Sequence, residues 1–166
     1  MAVCVLDKAA QEFVGQPTKI AEAYTEQGRA LERDGAPHRN VSLLAAAWRL
    51  GIPATVHVAI GTDTIHHHPR CDGAALGETT LRDFRILAAT LAEARGAVVV
   101  NLGSAVLMPE VFLKALSVAR NLGADLSGLT TVNFDQIQHY RPRLNVVERP
   151  TRGAGGHGYS LTGHHE

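Results

Sequence analysis

Apolar and polar positions alternate along this chain in blocks of two periods. Over 18–34, TKIAEAYTEQGRALERD, residues Ile20, Ala23, Tyr24, Gln27 and Leu31 recur three or four apart. That spacing predicts one helical face, with Thr18 as its cap and Gly28 weakening it by about 1 kcal/mol relative to alanine. The turn GAPHR leads into NVSLLAAAWRLG, where Asn40 is placed as N-cap and Gly51 as the C-terminal stop. This second helix is apolar nearly all round, so it is expected to be deeply packed, with Trp48 in the core. PATVHVAI, 53–60, is a β-branched run of strand length. TTLRDFRILAATLAEARG then sets Leu81, Phe84, Ala88, Leu91 and Ala92 on one helical face, with Thr80 and Asp83 at capping-box spacing and Gly96 at its end. AVVVN, 97–101, is continuously apolar, the pattern of a strand buried on both faces. MPEVFLKALSVARNLG predicts a helix with Pro109 at its first position, Glu110 in the first turn, Arg120 in the last and Gly123 closing it. LTTVNF, 129–134, is the next strand; NVVERP, 145–150, and GYSLTG, 158–163, read as shorter ones, and RPTRGAGGHG, 149–158, as a mobile loop.

Strand, helix, strand, helix, strand implies βαβ units, hence an α/β fold with a parallel sheet and flanking helices. There is no internal repeat. The chain reads as one partial domain: a helical lead-in over 1–37, a βαβ core over 38–148, and a glycine-rich loop with a terminal strand over 149–166. Both ends are abrupt, which leads to the expectation of a piece of a longer chain.

Composition changes this picture only by exclusion. The 166 residues are 45 % hydrophobic and 19 % charged, an ordinary globular balance. Sixteen basic residues against sixteen acidic ones leave no excess for nucleic acid. No apolar run approaches the roughly 20 residues that span a bilayer, so no membrane partner is expected. The opening MAVCVLDKAAQEF lacks a basic segment followed by a long apolar one, so it does not read as a signal peptide. Two cysteines, Cys4 and Cys71, far apart, suit a reducing compartment, and a cytoplasmic location is expected.

In an open parallel sheet, ligands bind beyond the carboxyl ends of the strands. The first expected exit carries Thr62 and Asp63, then His66, His67 and His68; the second Asn101, Gly103 and Ser104; the third Asn133 and Asp135, with His139, Tyr140 and Arg141 behind. Turns also favour Gly, Asn and Asp, but plain turns do not need HHHP or HYRPR beside them. Gly103 lets backbone approach a ligand, and N–H groups at the following helix start suit phosphate. Asp63 and Asp135 can accept hydrogen bonds from ribose hydroxyls or a substrate ammonium, or cap a turn. In an extended segment His66 and His68 share a face, and with Asp63 they suit zinc or iron. The spacing is neither HxxxH nor HExxH and no third ligand clusters with them, so no metal is assigned. His57 reads as a core histidine; His164 and His165 belong to the same rim or stand exposed. His139 and Arg141 are candidate anion contacts for substrate, against a surface turn salt-bridged to Glu148.

The run from VSLLAAAWRLGIPATVHVAIGTDTIHHHP through DGAALGETTLRDFR and VVVNLGSAVLMPEVFLKALSVARNLGADLSGLTTVNFDQIQHYRPRLNVVERP to GYSLTGHHE resembles a bacterial branch of proteins distantly similar to deoxyhypusine synthase. It covers about residues 38–166. Within it, Thr62-Asp63, Gly103-Ser104 and Asn133-Phe134-Asp135 resemble that family's strand ends and glycine-rich turn. The resemblance implies a Rossmann-like NAD-binding fold, a homo-oligomer, and a polyamine or other small amine as substrate. Thr62, Asp63, Asn101, Gly103, Ser104, Asn133 and Asp135 are then cofactor or substrate contacts. The synthases' covalent lysine lies in a Trp-Gly-Lys stretch near the carboxyl end, whereas this chain has only Lys8, Lys19 and Lys114. The imine-forming step therefore lacks its nucleophile, and amine chemistry without a covalent lysine is expected. In that reading a histidine of 66–68 transfers the proton and Asp63 orients it. Two alternatives stand beside it: a metal-dependent hydrolase using His66, His68 and Asp63, and a non-catalytic fragment.

Overall fold

A computed structural model describes residues 2–5, 29–153 and 155–165. The chain divides into two compact units, one spanning Val3–Val56 and the other built on His57–Glu166.

In the first unit, strands β1 (Ala2–Val5) and β2 (Ala54–His57) pair as a two-stranded sheet. Most of the helix expected over 18–34 lies outside the described residues; residues 29–33 are helical. Helix α1 (Leu43–Leu50) starts later than its pattern suggests. Asn40 lies in a short 3-10 turn, Arg39–Val41, and Ser42 is the cap: its hydroxyl accepts from Ala45 N at 3.3 Å. Gly51 ends the helix at φ 64°, as expected. Only Ala45 and Ala47 of this helix are buried, and Trp48 is partly exposed, so the all-apolar pattern overstated its packing.

The second unit carries an α/β, Rossmann-like parallel sheet with flanking helices. Strands β3 (Val98–Leu102), β4 (Thr130–Asp135) and β5 (His157–Thr162) lie in that order, all parallel. Val98 is level with Thr130 and Thr130 with His157, so the three strands end together. The strand over 53–60 was expected beside them; it pairs with β1 instead, and β5 completes the sheet.

Helix α2 (Gly73–Ala92) begins well before the Thr80–Asp83 pair read as its start. Asp72 caps it, its carboxylate accepting from Ala74 N at 2.9 Å and Ala75 N at 3.2 Å. Gly73 and Gly77 disguise this first stretch as loop; the cap outweighs their poor propensity. Its buried stripe is Asp83, Ile86, Leu87, Ala88 and Leu91, so the apolar face is rotated from expectation and Leu81 is exposed. Thr80 does other work: its hydroxyl accepts from Val58 N at 3.0 Å.

Helix α3 (Leu107–Asn121) joins β3 to β4 and buries Phe112, Ala115, Leu116 and Ala119 at helical spacing. It starts two residues before Pro109, with the Ser104 hydroxyl accepting from Met108 N at 3.2 Å. The β4–β5 connection is helical where NVVERP, 145–150, was expected as a short strand; the other short strand, expected over 158–163, is β5. Segments Tyr140–Pro142, Arg143–Glu148 and Arg149–Thr151 abut, the middle one a π turn in which Arg149 N–H donates to Leu144 O. Pro150 cannot donate to the helical ladder, which favours such an irregularity. The β-branched pair Val146-Val147 suggested a strand; burial of Val146 and the bonds of Asn145 to Glu110 (2.8 Å) and of Arg149 to Asn145 (2.9 Å) fix it as helix.

Parallel neighbours need crossovers, and right-handed ones advancing one way across a sheet place both connections on the same face. The contacts agree. Thr131 Oγ1 donates to Val146 O at 2.6 Å, and a Cβ added to Gly158 would stand 2.2 Å from Val147 O. Arg120 of α3 donates to Pro150 O, tying the two connections together. The face bearing Thr131, Asn133 and Asp135 is therefore the covered one, and these three are buried. Strand β3, expected to be buried on both faces, exposes Val98, Val100 and Leu102 on the other. Among the described residues no helix is long and apolar enough to cross a membrane.

Candidate functional site

The carboxyl ends of β3, β4 and β5 gather a set of polar side chains. They are held by a relay of amides. Asn101 Nδ2 donates to Ser104 O at 2.9 Å and to Asn133 Oδ1 at 2.7 Å. Asn133 Nδ2 donates to Gln138 Oε1 at 2.7 Å, and Gln138 Nε2 donates to Leu161 O at 2.8 Å and Thr162 Oγ1 at 3.3 Å. An amide carries both donors and an acceptor, so it can pass hydrogen bonding from strand to strand. Asn133 is fully buried and Asn101 nearly so, which makes each of these bonds expensive to lose.

Next to the relay stands Asp135, which is also nearly buried. Its Oδ1 accepts from Gln136 N at 2.7 Å and lies 3.5 Å from His165 Nε2. The His165 ring meets Phe134 edge-on, centroids 6.0 Å apart at 64°. It also lies over Gly103. At φ 65° that glycine has the left-handed backbone that disfavours a side chain, and a Cβ there would stand 3.1 Å from His165 Cε1. So the room the glycine clears is taken by an imidazole. Gly103 N–H donates to Phe134 O at 3.0 Å, and Ser104 Oγ is engaged by the start of α3. A carboxylate beside an imidazole, rimmed by Ser104 and Gln138, can accept hydrogen bonds from a hydroxyl or ammonium and pass a proton.

Of the residues picked out from sequence, Asn101, Gly103, Ser104, Asn133 and Asp135 thus stand together. Thr62, Asp63, His66 and His68 form a turn of their own. The histidine run is not extended: Thr64–His67 is a 3-10 turn, so alternation does not place His66 and His68 on one face. Asp63 caps it, accepting from Ile65 N at 3.4 Å, while His66 Nδ1 accepts from Gly61 N at 3.1 Å and Asp63 N at 3.2 Å. This is a capping box in which a histidine fills the place usually taken by Glu or Gln. His66 Nε2 is enclosed, without a hydrogen-bond partner. His68 Nδ1 accepts from Arg70 N at 3.1 Å, and the Thr62 hydroxyl donates to Ala59 O at 2.7 Å. Among the described residues no group of three or more His, Cys, Asp or Glu is placed to hold a metal ion.

His139 precedes the first helical segment of the β4–β5 connection, with no capping bond from its side chain. Arg141 Nε lies 3.6 Å from Glu110 Oε1, and Arg143 bonds Glu148 at 2.5 Å while resting 5.7 Å from the Tyr140 ring centroid. Glu110 is also bonded by Lys114 at 2.5 Å. That hydrogen bond, with the charges of Lys114 and Arg141 and the Asn145 amide, holds Glu110 below the ordinary carboxylate range against the opposing effect of burial. The arginines that seemed free to take an anion are thus met by carboxylates.

Gln138 and Thr162 entered the site without having been assigned to it, and His165, left open between rim and exposed position, stands in the rim. The signal for Thr162 and His165 was present: a strand over 158–163 ends just before His164 and His165. Recognising it required knowing that this strand is the third member of the sheet. No family model, no curated protein and no solved structure matches this chain.

Proposed function

We propose that the carboxyl edge of the β3–β4–β5 sheet binds a small polar ligand, and that the ligand is NAD or a related nucleotide used with an amine substrate. The observation that carries this reading is the convergence of Ser104, Asp135, Gln138 and His165 at the ends of three parallel strands, around a nearly buried carboxylate. Ligands of α/β sheets are bound at this edge. The nucleotide and amine classes come from the resemblance to deoxyhypusine synthase-like proteins; residues 115–166 hold no lysine, so no covalent step is assigned to these residues. Asp135 accepts from a ribose hydroxyl or the ammonium, and the chain works in the cytoplasm. Titration calorimetry of the full chain with NAD and NADH tests this. Binding is expected, weakened at least about tenfold by Asp135→Ala, the loss of one charge-assisted hydrogen bond. Absence of binding at millimolar nucleotide, or equal affinity in the variant, would sink it.

A further inference from the structure

We infer that the end of β4 carries a nest for a flat heteroaromatic ring bearing an N–H group, and that His165 fills this nest in the free protein. The inference rests on the reading that the strand ends bind a ligand, and it names the part of the ligand that lies there. Phe134 and Asp135 are consecutive on β4, so their side chains point to opposite faces of the sheet. The His165 ring nevertheless meets both: its Nε2 lies 3.5 Å from Asp135 Oδ1, and its centroid 6.0 Å from that of Phe134. The imidazole therefore lies across the strand end rather than on either face. Gly103 makes the floor. A Cβ there would stand 3.1 Å from His165 Cε1 and 3.2 Å from Nε2, so the ring rests where any other residue would carry its side chain.

The walls of the nest are held without the histidine. Gly103 N–H donates to Phe134 O at 3.0 Å, and Asp135 Oδ1 accepts from Gln136 N at 2.7 Å. The histidine is held less firmly. Past β5, Gly163 N–H donates to Asp135 O at 3.2 Å; among the described residues no backbone hydrogen bond ties His164 or His165. The contact of His165 with Asp135 is at the long limit of a hydrogen bond, and its side chain keeps 34 % of its surface exposed. A ligand ring that covers Gly103, meets Phe134 edge-on and turns an N–H toward Asp135 makes the same contacts and displaces it. Asp135 turns Oδ1 to the ring, which leaves Oδ2 for the ribose hydroxyl or ammonium. Because the nest must empty first, the free-state histidine weakens ligand binding by the fraction of molecules in which it is seated.

Imidazole itself is the probe, since it is the side chain without its tether. Amide proton–nitrogen correlation spectra of the full chain, titrated with imidazole, are compared for wild type, His165→Ala and His164→Ala. His165→Ala is expected to bind imidazole at least about tenfold more tightly than the other two, the worth of one N–H contact and one ring contact. The shifts are expected to centre on Gly103 and Phe134. Adding Gly103→Ala to His165→Ala fills the floor and is expected to abolish this binding, with an unchanged far-ultraviolet circular dichroism spectrum. A second arm measures NAD by calorimetry, where His165→Ala is expected to bind several-fold more tightly than wild type. Equal imidazole affinity in all three proteins, or shifts centred elsewhere, overturns the inference. So does weaker NAD binding by His165→Ala, which would make the histidine a ligand contact. NAD that binds neither protein refutes the nucleotide reading alone, and imidazole then decides whether the nest exists.

Discussion

The amide relay across the strand ends makes a quantitative prediction at Asn133. Its side chain is fully buried and makes two hydrogen bonds of 2.7 Å, one to Asn101 and one to Gln138. In Asn133→Ala, Asn101 keeps Ser104 O but loses the partner of its other donor inside the fold. That loss costs about 1–2 kcal/mol, because the donor stays desolvated. Gln138 is exposed, so water replaces its lost partner at a cost of about 0.5 kcal/mol. The space left behind adds about 1 kcal/mol. The expected destabilisation is therefore about 3 kcal/mol. Urea unfolding followed by far-ultraviolet circular dichroism is the appropriate assay, since it reads the backbone of the sheet directly, whereas the single tryptophan, Trp48, belongs to the other unit. A double-mutant cycle with Asn101→Ala isolates the pair, and a coupling of about 1 kcal/mol is expected. Destabilisation below about 0.5 kcal/mol, or additive losses in the cycle, would refute the relay as a structural element.

Two further outcomes follow from single positions. Burial lowers the pKa of His57 from 6.5 to about 4, so between those values the unfolded chain takes up the proton first. The stability this neutral histidine allows is complete above pH 6.5 and falls with pH toward about 4, by about 3 kcal/mol in all. His57→Gln should flatten the pH dependence of urea unfolding across that window, and an identical slope in both proteins would count against the assignment. At Gly158, an added Cβ would lie 2.2 Å from a backbone oxygen, Val147 O, with no flexible side-chain end to yield. Gly158→Ala is expected to destabilise the sheet unit by on the order of 4 kcal/mol, visible as a lowered urea midpoint; an unchanged midpoint would show that β5 does not pack on the Arg143–Glu148 segment.

The sequence by itself determined the elements whose signals are local. The apolar period of α3, the Gly51 stop and the strand runs of β3, β4 and β5 all depend on neighbours a few residues away, and each stands where its pattern places it to within a few residues. It also marked Asn101, Gly103, Ser104, Asn133 and Asp135, because a parallel sheet binds its ligands at the carboxyl ends of its strands and these residues stand there. Pairing was beyond it. Every parallel strand offers the same backbone groups, so nothing in PATVHVAI says that it pairs with β1 and leaves β5 to complete the sheet. The same holds for the histidines: His66 looks like a ligand in a row of three and becomes the capping-box partner of Asp63 only once the chain turns at Gly61. Val98, Val100 and Leu102 read as core in any one-dimensional pattern. Only the common side taken by both crossovers leaves them uncovered, while bringing His165, from the far end of the chain, onto Asp135.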